Sequence, residues 1–180
     1  MYCGVQAREI ALDKWFWFGK VQAMSEEVII RSATPEDLPI LLTFEQGIIQ
    51  AERPYDPTLK PDPISYYDVS ALITSVDAEV AAAEINGRLV GSGYAKRKDS
   101  RHYLSPSEHA FIGFLYVDPE FRGRGINKRV LDHLFTWAKA QGLPEVHLTV
   151  YPGNDSAVRA YKKAGFDEYL LEMRLDLDGI

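Results

Sequence analysis

Apolar positions recur along this chain with two different periods, and the switches between them mark out its elements. Val28-Ile29-Ile30-Arg31-Ser32-Ala33 is a short β-branched run that reads as a first strand. Thr34-Pro35-Glu36-Asp37 then has the chemistry of a helix start: Thr34 as N-cap, Pro35 at the first helical position, and Asp37 at the capping-box position. Leu38, Leu41, Leu42 and Phe44 carry one apolar helical face as far as Glu45. From Gln46 to Pro63 the character changes. Pro54, Pro57, Pro61 and Pro63 break any long helix, while Glu52, Arg53, Tyr55, Asp56, Lys60 and Asp62 give the stretch polar reach. It is expected to be a long connection, and loops beyond about 12–15 residues are often lids or binding segments rather than plain connectors. Tyr66 to Ser75 reads as a second, short helix.

Alternation then returns. Glu79 to Ile85 is a strand, Asn86-Gly87 a two-residue hairpin turn, and Arg88 to Lys98 the returning strand. Leu89, Gly91, Gly93 and Ala95 fall on one face of it and Val90, Ser92 and Tyr94 on the other; glycines on one face imply a bulge or the close approach of another element. Residues 97–108 form a polar loop containing His102 and Tyr103, and the apolar run from Phe111 to Val117 reads as a buried strand. Ile126, Val130, Leu131, Leu134, Phe135 and Ala138 then keep helical spacing to about Gln141, where Gly142-Leu143-Pro144 stops them. Val146 to Tyr151 is a further strand, a short helix follows Asn154, and Glu168 to Leu177 alternates Tyr169, Leu171, Met173, Leu175 and Leu177 with polar residues as a half-buried last strand. The order β-α-α-β-β-β-α-β-α-β predicts one α/β sandwich.

Composition narrows the class. The 180 residues suit one domain with a full core, and 46% hydrophobic with 26% charged residues is ordinary for a globular chain. A net charge of -6 argues against nucleic acid as a partner, which wants a basic face. Cys3 is the single cysteine, so no disulfide forms within one chain, which fits a reducing, cytoplasmic setting. No run approaches the roughly 20 apolar residues of a membrane span, so no membrane partner is expected. Trp15-Phe16-Trp17-Phe18 is too short for a signal-peptide core, usually about 7–15 residues. Met24-Ser25-Glu26-Glu27 looks like a natural beginning. Residues 1–23 are therefore expected to be an N-terminal extension and residues 24–180 the functional domain; the alternative is an aromatic segment packed on the body or on a partner.

One stretch carries charge against the trend. After the strand to Val117, Asp118-Pro119 ends the ladder, and Arg122-Gly123-Arg124-Gly125 leads into the long helix beginning Ile126-Asn127. The first N–H groups of a helix have no internal partner, and the helix dipole adds positive potential there. Gly123 and Gly125 allow close approach of a bulky anion, and Arg122, Arg124, Lys128 and Arg129 crowd cations into the same place. The pattern reads as a cradle for a pyrophosphate. It is neither a Walker loop, lacking G-x-x-x-x-G-K-[ST], nor a dinucleotide fingerprint, lacking G-x-G-x-x-G.

The stretch Asn154-Asp155-Ser156-Ala157-Val158-Arg159-Ala160-Tyr161-Lys162-Lys163-Ala164-Gly165-Phe166 completes the picture. Together the two stretches resemble the GNAT superfamily of acyl-CoA-dependent N-acetyltransferases. The family's Arg/Gln-x-x-Gly-x-Gly/Ala turn is met by Arg122 and Gly125, with Asn127 in place of the usual small last residue. Its Asn-x-x-Ala-x-x-x-Tyr-x-x-x-Gly-Phe helix is met throughout by Asn154, Ala157, Tyr161, Gly165 and Phe166. The resemblance covers roughly Val28 to Leu177.

The resemblance implies a three-layer α/β fold with a mixed central sheet flanked by helices, in which the strands Phe111–Val117 and Val146–Tyr151 run parallel and splay apart. The acyl-pantetheine arm would lie in the gap, bonded to main-chain groups of Leu115 and Val117, with the N–H of Leu115 or Tyr116 facing the oxyanion. Arg122, Gly123, Arg124, Gly125, Ile126 and Asn127 would hold the diphosphate, and Asn154 and Ala157 would border the pantetheine. Tyr161 would protonate the leaving thiolate. Many relatives carry an acid inside the central strand; this one does not, so Glu108 and His109 at its beginning are the candidate bases, acting through a water. An amine that arrives neutral, or water as proton acceptor, stays open. The implied reaction is acetyl transfer from acetyl-CoA, without a metal, to a primary amine of a small molecule or protein. The alternatives are a non-catalytic acyl-CoA-binding module or a transferase of longer acyl chains. The last strand and the aromatic N-terminal segment could both serve a homodimer.

Overall fold

A computed structural model describes residues 27–177. Five strands form one sheet in the order β1-β2-β3-β4-β5: Val28–Ser32, Ala78–Ile85, Arg88–Asp99, Glu108–Val117 and Val146–His147. The first four are antiparallel neighbours and β5 joins β4 in parallel, giving the expected mixed sheet. The helices α1 (Leu38–Glu52) and α2 (Val69–Thr74) cover one face. The other face is covered by α3 (Ile126–Ala140), with α4 (Asp155–Lys163) leading into Ala164 and Phe166, which pack against the same core.

Each layer follows from its apolar stripe. On the α1 side, Leu41, Phe44 and Ile48 meet Val69, Val80, Tyr94 and Phe114. On the α3 side, Ile126, Val130, Leu131 and Leu134 meet Ala81, Ala83, Val90, Ala95 and Ile112. Gly93 makes that second contact possible. A Cβ there would stand 2.8 Å from both Leu115 Cδ2 and Val130 Cγ1, so the expected close approach is that of α3 to the sheet. At the other end of the sheet, the Thr34 N–H donates to Asp37 at 2.8 Å, and Arg31 donates to both Asp37 oxygens at 2.7 and 3.0 Å. That pins the β1–α1 corner as the capping pattern predicts.

Several expectations are corrected. The first helix does not break at Gln46 but runs to Glu52, because its stripe continues through Ile48 and Ile49 and the first ring is Pro54. The second helix is shorter than expected; Asp68 caps it by accepting from the Ala71 N–H at 2.9 Å. The two faces of β3 do not alternate through its beginning. The β2–β3 register shifts at Ala83/Glu84 and leaves Val90 without a partner, so Leu89 packs toward α1 and Val90 toward α3. The fourth strand starts at Glu108 rather than Phe111. The strand expected over Val146–Tyr151 keeps only two residues of ladder. No strand forms over Glu168–Leu177: Tyr169, Leu171, Met173, Leu175 and Leu177 are all exposed there. Alternation supplies two faces but not a neighbour, and β5 pairs too briefly to offer an edge. The proposed boundary near residue 24 and the aromatic segment lie outside the described residues.

Candidate active site

The gap between β4 and β5 is the centre of the site. The two strands pair only at Ala110–Val146 and Phe111–His147, then part. Just beyond, β4 bulges. Phe114 is buried with φ 57°, a conformation rare for a bulky residue, and the β3–β4 register shifts between Ser92 and Tyr94. The Ser92 hydroxyl donates to Phe114 O at 3.2 Å. Tyr116 pairs with Ser92, and the Asp118 N–H donates to Val90 O at 2.8 Å. The main-chain groups of Tyr116 and Asp118 therefore point toward β3, and by alternation those of Leu115 and Val117 point into the gap. Buried or not, such groups need partners. Val117 O accepts from Arg122 Nε at 3.1 Å.

That edge leads directly to the glycine turn. Gly123 and Gly125 have φ of 77° and 76°, and a Cβ added to either would meet no atom within 4 Å, so the turn opens outward. Gly125 is the N-cap of α3, and with no side chain it caps none of the first N–H groups. Ile126 is buried and anchors the helix; Asn127 behind it is half-buried. Arg124 and Arg88 lie over the Phe121 ring at 5.0 and 5.1 Å, and Lys128 pairs with Asp132 at 2.6 Å. An uncapped helix start with glycine clearance and arginines beside it is a fitting receptacle for a diphosphate.

Across the gap, Asn154 starts α4: its Oδ1 accepts from the Ala157 N–H at 3.2 Å. Ala157 on the first turn is half-buried. One helical turn on, Tyr161 is half-buried with its ring edge-on to Phe166 at 6.1 Å between centroids. Burial, and after it the charge of Glu52, pushes the Tyr161 hydroxyl up to about 12. It therefore stays protonated at neutral pH and available as a donor.

The two candidate bases stand elsewhere. Glu108 is engaged by Arg97 at 2.8 Å. His109 is buried, meets Ser100 Oγ through Nδ1 at 3.0 Å and stacks on His147 at 4.1 Å; burial and then the neighbouring His147 and Lys98 hold its pKa down. Both lie at the closed end of β4, about 20 Å along the strand from Leu115 at ~3.4 Å per residue. The structure does not bring either to Tyr161.

A different carboxylate is close by. Glu52, the last residue of α1, is half-buried, and burial raises its pKa against the opposing pull of the Tyr66 hydroxyl. Its charge acts on Tyr66, Tyr67, Tyr151 and Tyr161, all of whose hydroxyls are held above the usual phenol range, chiefly by burial. The loop from Arg53 to Asp68 is fastened over this end of the gap. Tyr55 stacks on Tyr151 at 6.1 Å, the Tyr151 hydroxyl donates to Asp56 at 3.2 Å, and Arg174 donates to Asp56 at 3.1 Å and Thr58 at 2.9 Å. Deeper in, Glu45 is buried, and its Oε1 accepts from Ser65 Oγ, Tyr66 N and Tyr67 N at 2.9, 2.7 and 2.8 Å. Sequence reasoning took Glu45 only as the last residue of the helix and, because it ended the helix there, Glu52 only as part of the polar connection. An acid amid the apolar stripe of α1 was the available signal for Glu45.

The strand that splays, the uncapped glycine turn and the tyrosine-bearing helix together define an acyl-CoA-type transferase fold. The chain belongs to the GNAT acetyltransferase family, whose pattern it matches over residues 46–166, more than half its length. It is 35% identical over 88 residues to an acetyltransferase of Pectobacterium atrosepticum, a match spanning 47% of this chain and 55% of that relative. Among solved structures it resembles the F44R mutant of the BH1408 protein from Bacillus halodurans, with a TM-score of 0.73 and 21% identity over 83% of this chain and 99% of that one. It also resembles a predicted acetyltransferase from Clostridium acetobutylicum solved with acetyl-CoA, with a TM-score of 0.65 and 19% identity over 86% and 99% of the two chains. Among the described residues no cluster of side chains suits a metal ion and no helix is long and apolar enough to cross a membrane.

Proposed function

We propose that this protein transfers an acetyl group from acetyl-CoA to a primary amine of a small molecule or protein, by direct attack and without a covalent enzyme intermediate. The observation that carries the reading is the main-chain edge of β4 at Leu115 and Val117, which no strand among the described residues covers and where Arg122 meets Val117 O, continuous with the uncapped start of α3. An extended amide-bearing arm satisfies such an edge as an added strand would. The N–H groups of Gly123 to Asn127, with Arg122 and Arg124, take the diphosphate. The N–H of Leu115, beside the bulge, faces the carbonyl oxygen, where a fixed donor stabilises developing charge; the main chain of Tyr116 is turned to Ser92 instead. Asn154 and Ala157 border the arm. The phenol of Tyr161 gives its proton to the departing sulfur.

Calorimetry with acetyl-CoA and CoA, paired with a free-thiol assay over a panel of amines, tests the reading. Wild-type protein should bind acetyl-CoA and release thiol with at least one amine. Tyr161→Phe should keep acetyl-CoA affinity within about threefold and lose about 100-fold or more in kcat, the usual scale for a lost acid catalyst. No heat with either nucleotide at millimolar concentration would end the proposal.

A further inference from the structure

The geometry points to Glu52 as the carboxylate that receives the acceptor's ammonium group and takes its proton. This rests on the acetyl-transfer reading above and supplies the base that the sequence did not place.

Three observations converge on it. First, Glu52 ends α1, directly before the fastened loop begins at Arg53, and lies near enough to Tyr161 for its charge to act on that phenol. Acid and base would then flank one reacting carbonyl. Second, Glu52 is half-buried without a cation. Arg53 next to it is spent on Asp62 and Lys60 O, Arg174 on Asp56 and Thr58, and Lys162 on Glu168. The other titratable groups facing it are the phenols of Tyr66, Tyr67, Tyr151 and Tyr161. A partly desolvated carboxylate without a counter-charge is costly unless a ligand brings one. Third, Tyr66 Oη is buried beside it, near enough for the hydroxyl to pull on the Glu52 carboxylate, yet makes no hydrogen bond of good geometry among the described residues. That loose contact is one an incoming group can enter.

The same surroundings define the acceptor. Several phenols near one carboxylate favour an alkylammonium, held by charge and by aromatic surface. It discriminates against anilines, which arrive neutral, and against acceptors with an acid beside the amine.

The protons balance. The acceptor nitrogen arrives with three. Glu52 takes one, and the freed lone pair forms the carbon–nitrogen bond as the carbon–sulfur bond breaks. The sulfur keeps that bond's electron pair and takes the Tyr161 proton. The amide nitrogen sheds its second proton, which restores Tyr161 through solvent, and Glu52 returns its own proton to solvent. The raised pKa of Glu52 brings it closer to working pH, where a general base is most effective.

The test has two arms. In the kinetic arm, Glu52→Gln and Glu52→Asp are compared with wild type in the free-thiol assay with spermidine, kanamycin and a lysine peptide from pH 5.5 to 9.5, ~0.5 pH unit apart. Glu52→Gln should lose about 100-fold or more in kcat/KM at neutral pH, and its rate should climb only as the amine itself deprotonates. Glu52→Asp should keep the wild-type acidic limb at a lower rate. Acetyl-CoA affinity by calorimetry should be unchanged in both. The second arm follows the ¹³C carboxyl resonance of Glu52 in wild-type protein without acetyl-CoA as each amine is added; its titration midpoint should fall in at least one case. Glu52→Gln within about threefold of wild type with the same pH profile would overturn the assignment, as would a Glu52 resonance indifferent to all three amines. Loss of acetyl-CoA binding by wild type would instead remove the transfer reading, leaving Glu52 to be judged by the carboxyl resonance alone.

Discussion

Replacing Glu45 should loosen the aromatic loop before it loosens anything else. One carboxylate oxygen, almost wholly buried, accepts three hydrogen bonds from Ser65, Tyr66 and Tyr67. Glu45→Ala would leave the two main-chain N–H groups without an acceptor, each costing about 1–3 kcal/mol if it stays buried. It also removes a side chain that is almost wholly buried. For the two N–H groups together we expect a loss of about 2–6 kcal/mol. For a domain of this size each kcal/mol lowers Tm by about 2–4 °C, so the midpoint should fall by about 10 °C. Glu45→Gln keeps an acceptor oxygen and the packing, and should cost about 1–2 kcal/mol, the difference between charge-assisted and neutral bonds after relief of the buried charge. Urea titration gives the global term, and amide exchange at Tyr66 and Tyr67 gives the local one. Glu45→Ala with an unchanged urea midpoint and unchanged protection at those two amides would refute the clamp.

Other expectations follow from the same structure. Gly93→Val should cost about 1–3 kcal/mol or more by urea titration, because its Cβ would press on Leu115 and Val130 at 2.8 Å; a stable variant would show that α3 can retreat. Gly125→Ala has free space for its methyl but a φ of 76°, so it should cost about 1–2 kcal/mol in stability while weakening acetyl-CoA binding measurably by calorimetry. Asp37, held below the usual carboxylate range chiefly by Arg31, contributes stability that is present above the unfolded pKa near 4 and is lost as pH falls through the lower folded value. Asp37→Asn should therefore flatten the acid side of the stability curve, and a parallel curve would contradict the Arg31 pairing.

Much of this fold was legible because its signals were local. Thr34 with Asp37, Asn86-Gly87, the Gly123/Gly125 turn and Asn154 each specify a backbone shape within a few residues, and each appears as read. What failed depended on partners. The alternation of Glu168–Leu177 could not say whether a neighbouring edge existed, and β5 does not provide one. The four prolines and the polar residues between 46 and 63 gave that stretch the look of one connection, so the end of α1 was placed too early. Glu108 and His109 were candidate bases because they flank the start of β4, whose interior lacks the acid many relatives carry; Glu108 is paired with Arg97 and His109 stacks on His147. A helix running to Glu52 keeps that residue on α1, while one ending before Gln46 leaves it in the loop.

Arg174 bonds to Asp56 and Thr58, and Asp56 in turn accepts from Tyr151. The trailing stretch of the chain and the entrance loop are therefore mechanically joined, although they lie at opposite ends of the described sequence. A tug on one is felt by the other. A tag, label or bound neighbour that pulls Arg174 aside would loosen Asp56 and Thr58 while leaving the glycine turn at the head of α3 untouched.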